Sequence, residues 1–372
     1  MAAFLFRPAS PAIERAAALL ALALALTVLL APADGWSWLP ALAGLLFAAW
    51  PLALAERALA VRAGRPLLAG FQALTREADA HRAWRVIAWS SLGASLLALV
   101  LTALLAGLLA TSAVQTLAGS TAGLHAGGVL WPVLTVATLL LSFLRAYGHA
   151  PSPVWLLPAA LLAGWHVAGQ QSGNLPPVLA DLPLPVALPA AAGLLFGALL
   201  LGTGLGAHWQ QSDAGQQRLP LAGRGVVLLV GLGLVALLLT GRGSLPVLLL
   251  GYLATLLALD ALARPALAAV RGLNLPPLLA PLLVLVPVVV AAEAVWYFAG
   301  AAALDCLTFA LAVWMAVNML LLALFAGWVM KISHVRKALQ LPSEGLYNVW
   351  RIAVRWVAPV TLLIALWRLL PQ

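Results

Sequence analysis

Gly202, Gly204 and Gly206 stand three in five residues inside the apolar run Gly193 to Gln211, GLLFGALLLGTGLGAHWQQ. Glycine in a helix interior costs about 1 kcal/mol relative to alanine, so three together predict a local break in the helix. A break exposes backbone amides and carbonyls. A half-helix starting beyond Gly204 would turn its amide end and its dipole toward an anion such as a carboxylate. Thr203 adds a hydroxyl between two of the glycines. Away from water an unpaired backbone group costs several kcal/mol, so a break persists only where protein or a wet cavity takes over the lost hydrogen bonds. The competing reading is a packing face, because Gly193 and Gly197 form a GxxxG pair that lets two helices approach closely.

Few other side chains in apolar stretches carry chemistry. Glu56 ends the run PLALAE and reads as a structural carboxylate at the end of its helix, pairing with a neighbouring helix end, rather than as a proton-coupling group. Asn318 is an amide within an apolar segment, and interhelical hydrogen bonding is its expected use. His166 and His208 could titrate near neutral pH, with hydrogen-bonded packing preferred over a proton relay. Asp260, Glu293 and Asp305 read as interfacial. Cys306 is the single cysteine, which excludes an internal disulfide, and no Cys or His pairs at ligand spacing point to a metal or another cofactor. GxxxxGK, HExxH and GxSxG are absent from the sequence, so an enzyme is not the expectation.

The elements that must position these groups follow from composition. The 372 residues are 64% hydrophobic and 8% charged, with mean hydropathy +1.05, more apolar surface than a soluble core can hide. Apolar runs of about 16 to 25 residues without strict alternation exclude barrel strands, so the fold class is an all-α polytopic membrane protein surrounded by lipid bilayer. The predicted spans are 13–30, 38–60, 86–111, 129–144, 155–168, the glycine-broken 193–211, 225–240, 245–263, 277–298, 304–330 and 349–369. Ala31-Pro32-Ala33 has the form of a signal-peptidase site, so a cleaved first segment is the alternative to an uncleaved first span. Fifteen tryptophans collect near span ends, as at Trp36, Trp38, Trp155, Trp350 and Trp356, and read as interface anchors. The net charge of +9 is dispersed over short loops and is a topology signal, not a nucleic-acid footprint.

Pro51 to Glu56, the basic loop after it and His81-Arg-Ala-Trp-Arg-Val-Ile-Ala-Trp89 resemble the neurotransmitter:sodium symporter family, whose second span ends in Pro-x4-Glu and whose third opens on a similar basic-aromatic entry. Pro40 and Pro51 match the family's two prolines in the second span, and Gly202-Thr203-Gly204 falls on the Gly-x-Gly of its broken sixth. Leu257 to Asp260, Gly327 to Met330, and Tyr347-Asn-Val-Trp-Arg-Ile-Ala-Val-Arg-Trp-Val-Ala-Pro359 are similar to the ends of the eighth, tenth and eleventh spans. The resemblance implies one membrane domain over 1–372: inverted five-helix repeats at 13–170 and 188–332, and a C-terminal span at 347–370. It implies a transporter moving an amino acid or similar small solute by alternating access, with Gly202, Thr203, Gly204 and Thr102 at the substrate.

The chain departs from that family at its ion sites. Residues 13–30 lack the Gly-x-Gly-Asn run and, beyond Glu14 at their start, offer only Thr27 as a side-chain oxygen, while the eighth-span Thr/Ser pair falls on Leu253 and Ala254 and the serine before the sixth-span break on Leu200. Sodium needs several oxygen ligands, so its coupling is expected to be weakened or lost. A degenerate relative acting as a membrane partner subunit, homo-oligomeric or paired with another membrane protein, is the rival reading; a membrane-embedded enzyme or lipid-handling protein is a third.

Placing the N-terminus inside puts every Lys and Arg on the cytoplasmic side of a plasma membrane, the bacterial inner membrane by expectation, except Arg242 and Arg368. Reporter fusions check this frame: a cytoplasmic reporter should be silent at Gln372 and active in the loop containing Arg76, and activity at Gln372 would overturn the eleven-span count.

Overall fold

The computed structural model describes residues 45–118, 202–209, parts of 259–276, 279–299, 302–339 and 341–369, and every regular element among them is helical. A π-helical lead, Leu45–Ala49, runs into α1, Trp50–Ala63, with Pro51 in the first turn, where a missing N–H costs nothing. Gly64 closes α1 at φ +55°, its N–H returning to the Ala60 carbonyl at 3.0 Å. α1 therefore runs to Ala63, and Glu56 lies within it, not at its end as the sequence suggested.

The loop expected between the second and third spans contains a helix, α2, Leu67–Glu77. Its cause is local: Pro66 fixes the entry, and Leu67, Leu68, Phe71 and Leu74 form an apolar stripe at helical spacing that is buried. α3, Val86–Ala118, is seven residues longer than expected; at 1.5 Å per residue it is about 50 Å long, more than the hydrocarbon core requires. α4, Leu279–Ala299, and α5, Ala302–Leu324, follow, and α5 continues through a π-helical segment, Phe325–Val329. α6, Ile332–Leu339, precedes α7, Glu344–Ile352, which starts five residues earlier than expected because the Ser343 hydroxyl caps the Leu346 amide at 3.2 Å. A second π-helical segment, Ala353–Val357, links α7 to α8, Ala358–Leu369.

α5 lies at the centre of the described part, packed against α3, α8 and α1; α4 lies on α3, and α6 lies on α1. Gly93 lets the Trp314 ring press onto α3, where the indole N–H reaches Ser90 at 2.9 Å. Three helical stretches among the described residues, Arg82–Leu104, Cys306–Val329 and Glu344–Trp367, are long and apolar enough to cross a membrane. Trp356 is exposed, as an interface anchor would be, whereas Trp350 is 7% exposed and gives its indole N–H to the Pro51 carbonyl at 3.0 Å. Trp350 is therefore an interhelical donor and not an anchor. Trp36, Trp38 and Trp155 lie outside the described residues, as do most of the predicted spans between 119 and 258.

One end of the bundle is tied by a charged cluster. Arg62, at the end of α1, holds Glu77 of α2 through Nε at 2.9 Å and Nη2 at 2.8 Å, and His334 of α6 meets the same carboxylate oxygen. The Arg62 hydrogen bond, helped by the Arg62 and His334 charges and partly opposed by burial, holds the Glu77 carboxyl below the usual carboxylate range. With the folded value below the unfolded one near 4.3, the stabilisation is complete above about pH 5 and is lost as pH falls through the folded pKa. The cluster is partly exposed, so the effect is small. The melting temperature of wild type minus that of Glu77→Gln should shrink as pH falls below about 5; a difference independent of pH down to full protonation would remove the cluster from the fold's energetics.

Candidate functional site

The glycine run is a turn, not a helix. Gly202, Gly204 and Gly206 have φ of +66°, +77° and +71°, the left-handed region that costs an L side chain about 1–2 kcal/mol. Residues 202–206 form this turn, and a short 3-10 segment, Ala207–Trp209, follows. Every residue from Gly202 to Gly206 is buried. The expected break is present at the expected residues, and its backbone groups are turned into protein.

Three helices supply what the broken segment lacks. Glu56 of α1, 1% exposed, accepts the Gly204 amide on Oε2 at 2.8 Å. Asn318 of α5 donates Nδ2 to the Gly204 carbonyl at 2.6 Å and to Ser91 Oγ at 2.9 Å. Ser95 of α3 donates to the Leu205 carbonyl at 2.8 Å, and Thr203 sends its own hydroxyl proton to the Ala49 carbonyl at 3.1 Å. Gly204 is thus held at both its N–H and its C=O by side chains that lie 148 and 114 residues away in the chain.

Close packing completes the clamp. A Cβ at Gly206 would lie 2.9 Å from Leu67 Cδ2, so α2 reaches the turn only because residue 206 has no side chain. Trp209 stacks at 5.0 Å on Phe71, which meets Phe325 at 5.5 Å, forming an aromatic layer below the turn. The Trp209 indole and the Gly206 amide lie near the Glu56 carboxylate, but the indole does not close to hydrogen-bond geometry with it.

Of the residues expected at the substrate, Gly202, Thr203 and Gly204 are brought together in the turn. Thr102 is buried on α3, its hydroxyl donating to the Ala98 carbonyl at 2.6 Å. It shares a helix face with Ser91 and Ser95 and stands roughly 10 Å beyond Ser95 along the axis. Asn318 has the interhelical partners expected of it. Ser91 and Ser95 were not singled out from the sequence; two serines one turn apart in an apolar helix were the available signal. His166, Thr27, Leu200, Leu253, Ala254 and Asp260 lie outside the described residues, and Asp305 is described only as part of α5.

The arrangement is rich in acceptors. Asn318 Oδ1 is buried with no hydrogen-bond partner among the described residues, and Glu56 Oε1, also without a closed hydrogen bond, faces the nearby Trp209 indole and Gly206 amide. Thr203 and Thr102 have committed their protons and keep lone pairs. Such a place favours a donor or a cationic group over an anion. No group of three His, Cys, Asp or Glu among the described residues could hold a metal ion.

No family model matches the chain, and no curated protein matches it. A solved structure does: the crystal structure of MhsT in complex with L-phenylalanine superposes with a TM-score of 0.72 at 16% identity, covering 98% of this chain and 99% of that one. The chain is therefore helical and shares its fold with MhsT over nearly its whole length.

The clamp predicts unequal losses on substitution. Asn318→Leu and Glu56→Leu should each cost about 1–3 kcal/mol, because each leaves a buried backbone group of Gly204 unpaired. Glu56→Gln should cost less, since its amide oxygen can still accept the Gly204 N–H. Unfolding in lipid nanodiscs measures these costs, and the double Leu variant should depart from additivity by about 0.5 kcal/mol or more because both side chains hold one residue. Strict additivity would show that the two bonds are independent.

Proposed function

We propose that the chain is a transport protein of the plasma membrane that moves an amino acid or similar small solute by alternating access between the repeats 13–170 and 188–332, with the span at 347–370 outside that symmetry. The observation that carries this reading is the buried left-handed turn at Gly202–Gly206, held from three helices. Discontinuous helices at the centre of a bundle are where secondary transporters place solutes and ions. The whole-chain likeness in fold to MhsT, a protein crystallised with L-phenylalanine, supports it.

The solute site is proposed at Gly202, Thr203 and Gly204, with Thr102 further along α3. A carboxylate anchored on the Gly204 amide, the pose suggested by sequence, would compete with Glu56 for that N–H. The proposed pose is the reverse: an ammonium group of the solute lies toward the turn and donates to the spare lone pairs of Thr203 and Thr102. Sodium coupling is proposed to be weak or lost, because Leu253 and Ala254 carry no side-chain oxygen where a hard cation needs one. The membrane is proposed to be the bacterial inner membrane, with the N-terminus cytoplasmic and the C-terminus outside.

Binding of a mixed amino-acid pool to purified protein in sodium and in potassium, followed by uptake into proteoliposomes, tests this. The expected outcome is binding that changes less than tenfold between the two ions, a coupling under about 1.4 kcal/mol. Gly204→Leu should abolish binding, since a Cβ at that site is strained by its φ and already stands 3.4 Å from Met319 Cγ and 3.5 Å from Asn318 Nδ2. A larger sodium effect would mean an intact ion site. Absence of both binding and uptake would favour the partner-subunit reading.

A further inference from the structure

A cavity lies away from the glycine turn, between α6 and α7. It is an open cleft of about 750 Å3, lined by Ser333, Arg336 and Lys337 of α6 and by Glu344, Tyr347, Asn348 and Arg351 of α7. Both helices contribute a stripe: 333, 336 and 337 on one, 344, 347, 348 and 351 on the other, each at the spacing of a single helix face. Three cations thus face one carboxylate. Arg336 is the cation that the carboxylate takes, with Nη1 at 3.2 Å from Glu344 Oε1, and its guanidinium lies 5.5 Å from the Tyr347 ring centroid. Lys337 and Arg351 have no carboxylate partner among the described residues. Their charge is unbalanced within the cavity.

The surroundings indicate what would balance it. Leu346, Val349 and Ile352 of α7 are 51%, 65% and 54% exposed, and they form an apolar face beside the polar stripe. Trp356 continues that face one turn further on, at 59% exposure. In a membrane-spanning chain this face meets acyl chains, so the cavity mouth sits where hydrocarbon gives way to headgroups. The same end of the bundle carries Arg62 and Glu77, because α6 is tied to them through His334. A ligand suited to both halves has a compact phosphate anion and an apolar tail. Basic pockets at helix ends bind anionic headgroups, and a guanidinium matches two phosphate oxygens at once.

We propose that the α6–α7 cavity binds the headgroup of an anionic phospholipid, its phosphate against Lys337 and Arg351, its polar headgroup atoms toward Ser333 and Asn348, and its tails along Leu346, Val349 and Ile352. This site is separate from the proposed solute site and does not depend on whether the chain transports. Glu344 opposes the ligand's charge. It lowers the affinity and keeps Arg336 in place over Tyr347.

Native mass spectrometry of the full chain, titrated with phosphatidylglycerol or with phosphatidylethanolamine of the same acyl chains, tests the proposal. Phosphatidylglycerol should be retained over phosphatidylethanolamine by roughly fivefold or more. Lys337→Gln with Arg351→Gln should bring the ratio close to unity, and Glu344→Gln, which removes the opposing carboxylate, should raise it. The melting temperature of each variant confirms that it is folded, and the Glu344→Gln arm stands even if the double variant is not. Equal retention of the two lipids by wild type, or a ratio unmoved by any of the variants, overturns the proposal. Full displacement of phosphatidylglycerol by millimolar inorganic phosphate also overturns it, because it would assign the cavity to free phosphate.

Discussion

A helix that breaks inside a membrane bundle leaves amides and carbonyls that lipid cannot satisfy, and the described structure is organised around meeting that demand at Gly204. The Gly204 amide goes to Glu56, its carbonyl to Asn318, and the neighbouring Leu205 carbonyl to Ser95. These partners come from α1, α5 and α3, so satisfying one glycine fixes the mutual positions of three helices. The same constraint accounts for the composition of those helices. Glu56, Ser91, Ser95 and Asn318 are buried polar residues in apolar runs, costly except where each has a partner.

α1 and its π-helical lead collect the long-range bonds. The Ala49 carbonyl receives Thr203, the Pro51 carbonyl receives Trp350, Glu56 receives Gly204, and Arg62 binds Glu77. Along about three and a half turns the same helix therefore touches the broken segment, the α7 end of the last span and the charged cluster at the bundle's end. A displacement of the turn at Gly202–Gly206 could not leave α1 unmoved without breaking the Glu56 bond, and a displacement of α1 would act on Trp350 and Glu77 together. That is a physical route from the proposed solute site to the basic end of the protein, carried by hydrogen bonds of 2.8 to 3.1 Å.

Some of this arrangement was legible in the sequence. Glycine spacing alone located the break, because three left-handed positions have a compositional signature that few other conformations share. Asn318 could be assigned a partner in advance from the cost of an amide in an apolar span. The identity of that partner could not, since nothing local links Asn318 to Ser91 or to a carbonyl 114 residues earlier. Glu56 was placed at a span end because its next neighbour is Arg57 and hydropathy falls there; hydropathy registers charge, and it does not register that a carboxylate can be buried against a backbone amide. α2 was missed for the opposite reason. The arginines around it dominate the composition of 61–85, while the stripe of Leu67, Leu68, Phe71 and Leu74 is visible only when read at a period of 3.6.

The last span shows how backbone irregularity can be read from a pattern. Trp350, Val354, Ala358 and Leu362 are buried, and they recur every four residues. In a regular α-helix a four-residue step turns roughly 400°, so each step drifts by about 40° and three steps carry the stripe some 120° around the helix, off any single neighbour. The π-helical segment Ala353–Val357 lies in the middle of that stripe, and its wider turn takes up most of the drift. A wider turn loosens the ladder locally, and the facing segment Phe325–Val329 is widened in the same way. There the Arg355 Nε bonds the Gly327 carbonyl at 2.6 Å, with its guanidinium over Trp328 at 5.1 Å, and a Cβ at residue 327 would press on the Arg355 stem at 3.1 Å. The two irregular segments thus pair: one supplies a small residue and an accessible carbonyl, the other a side chain long enough to use both. A buried stripe spaced by fours that continues past two turns is therefore evidence for a π segment within it, and a glycine on the facing helix marks where that segment is received.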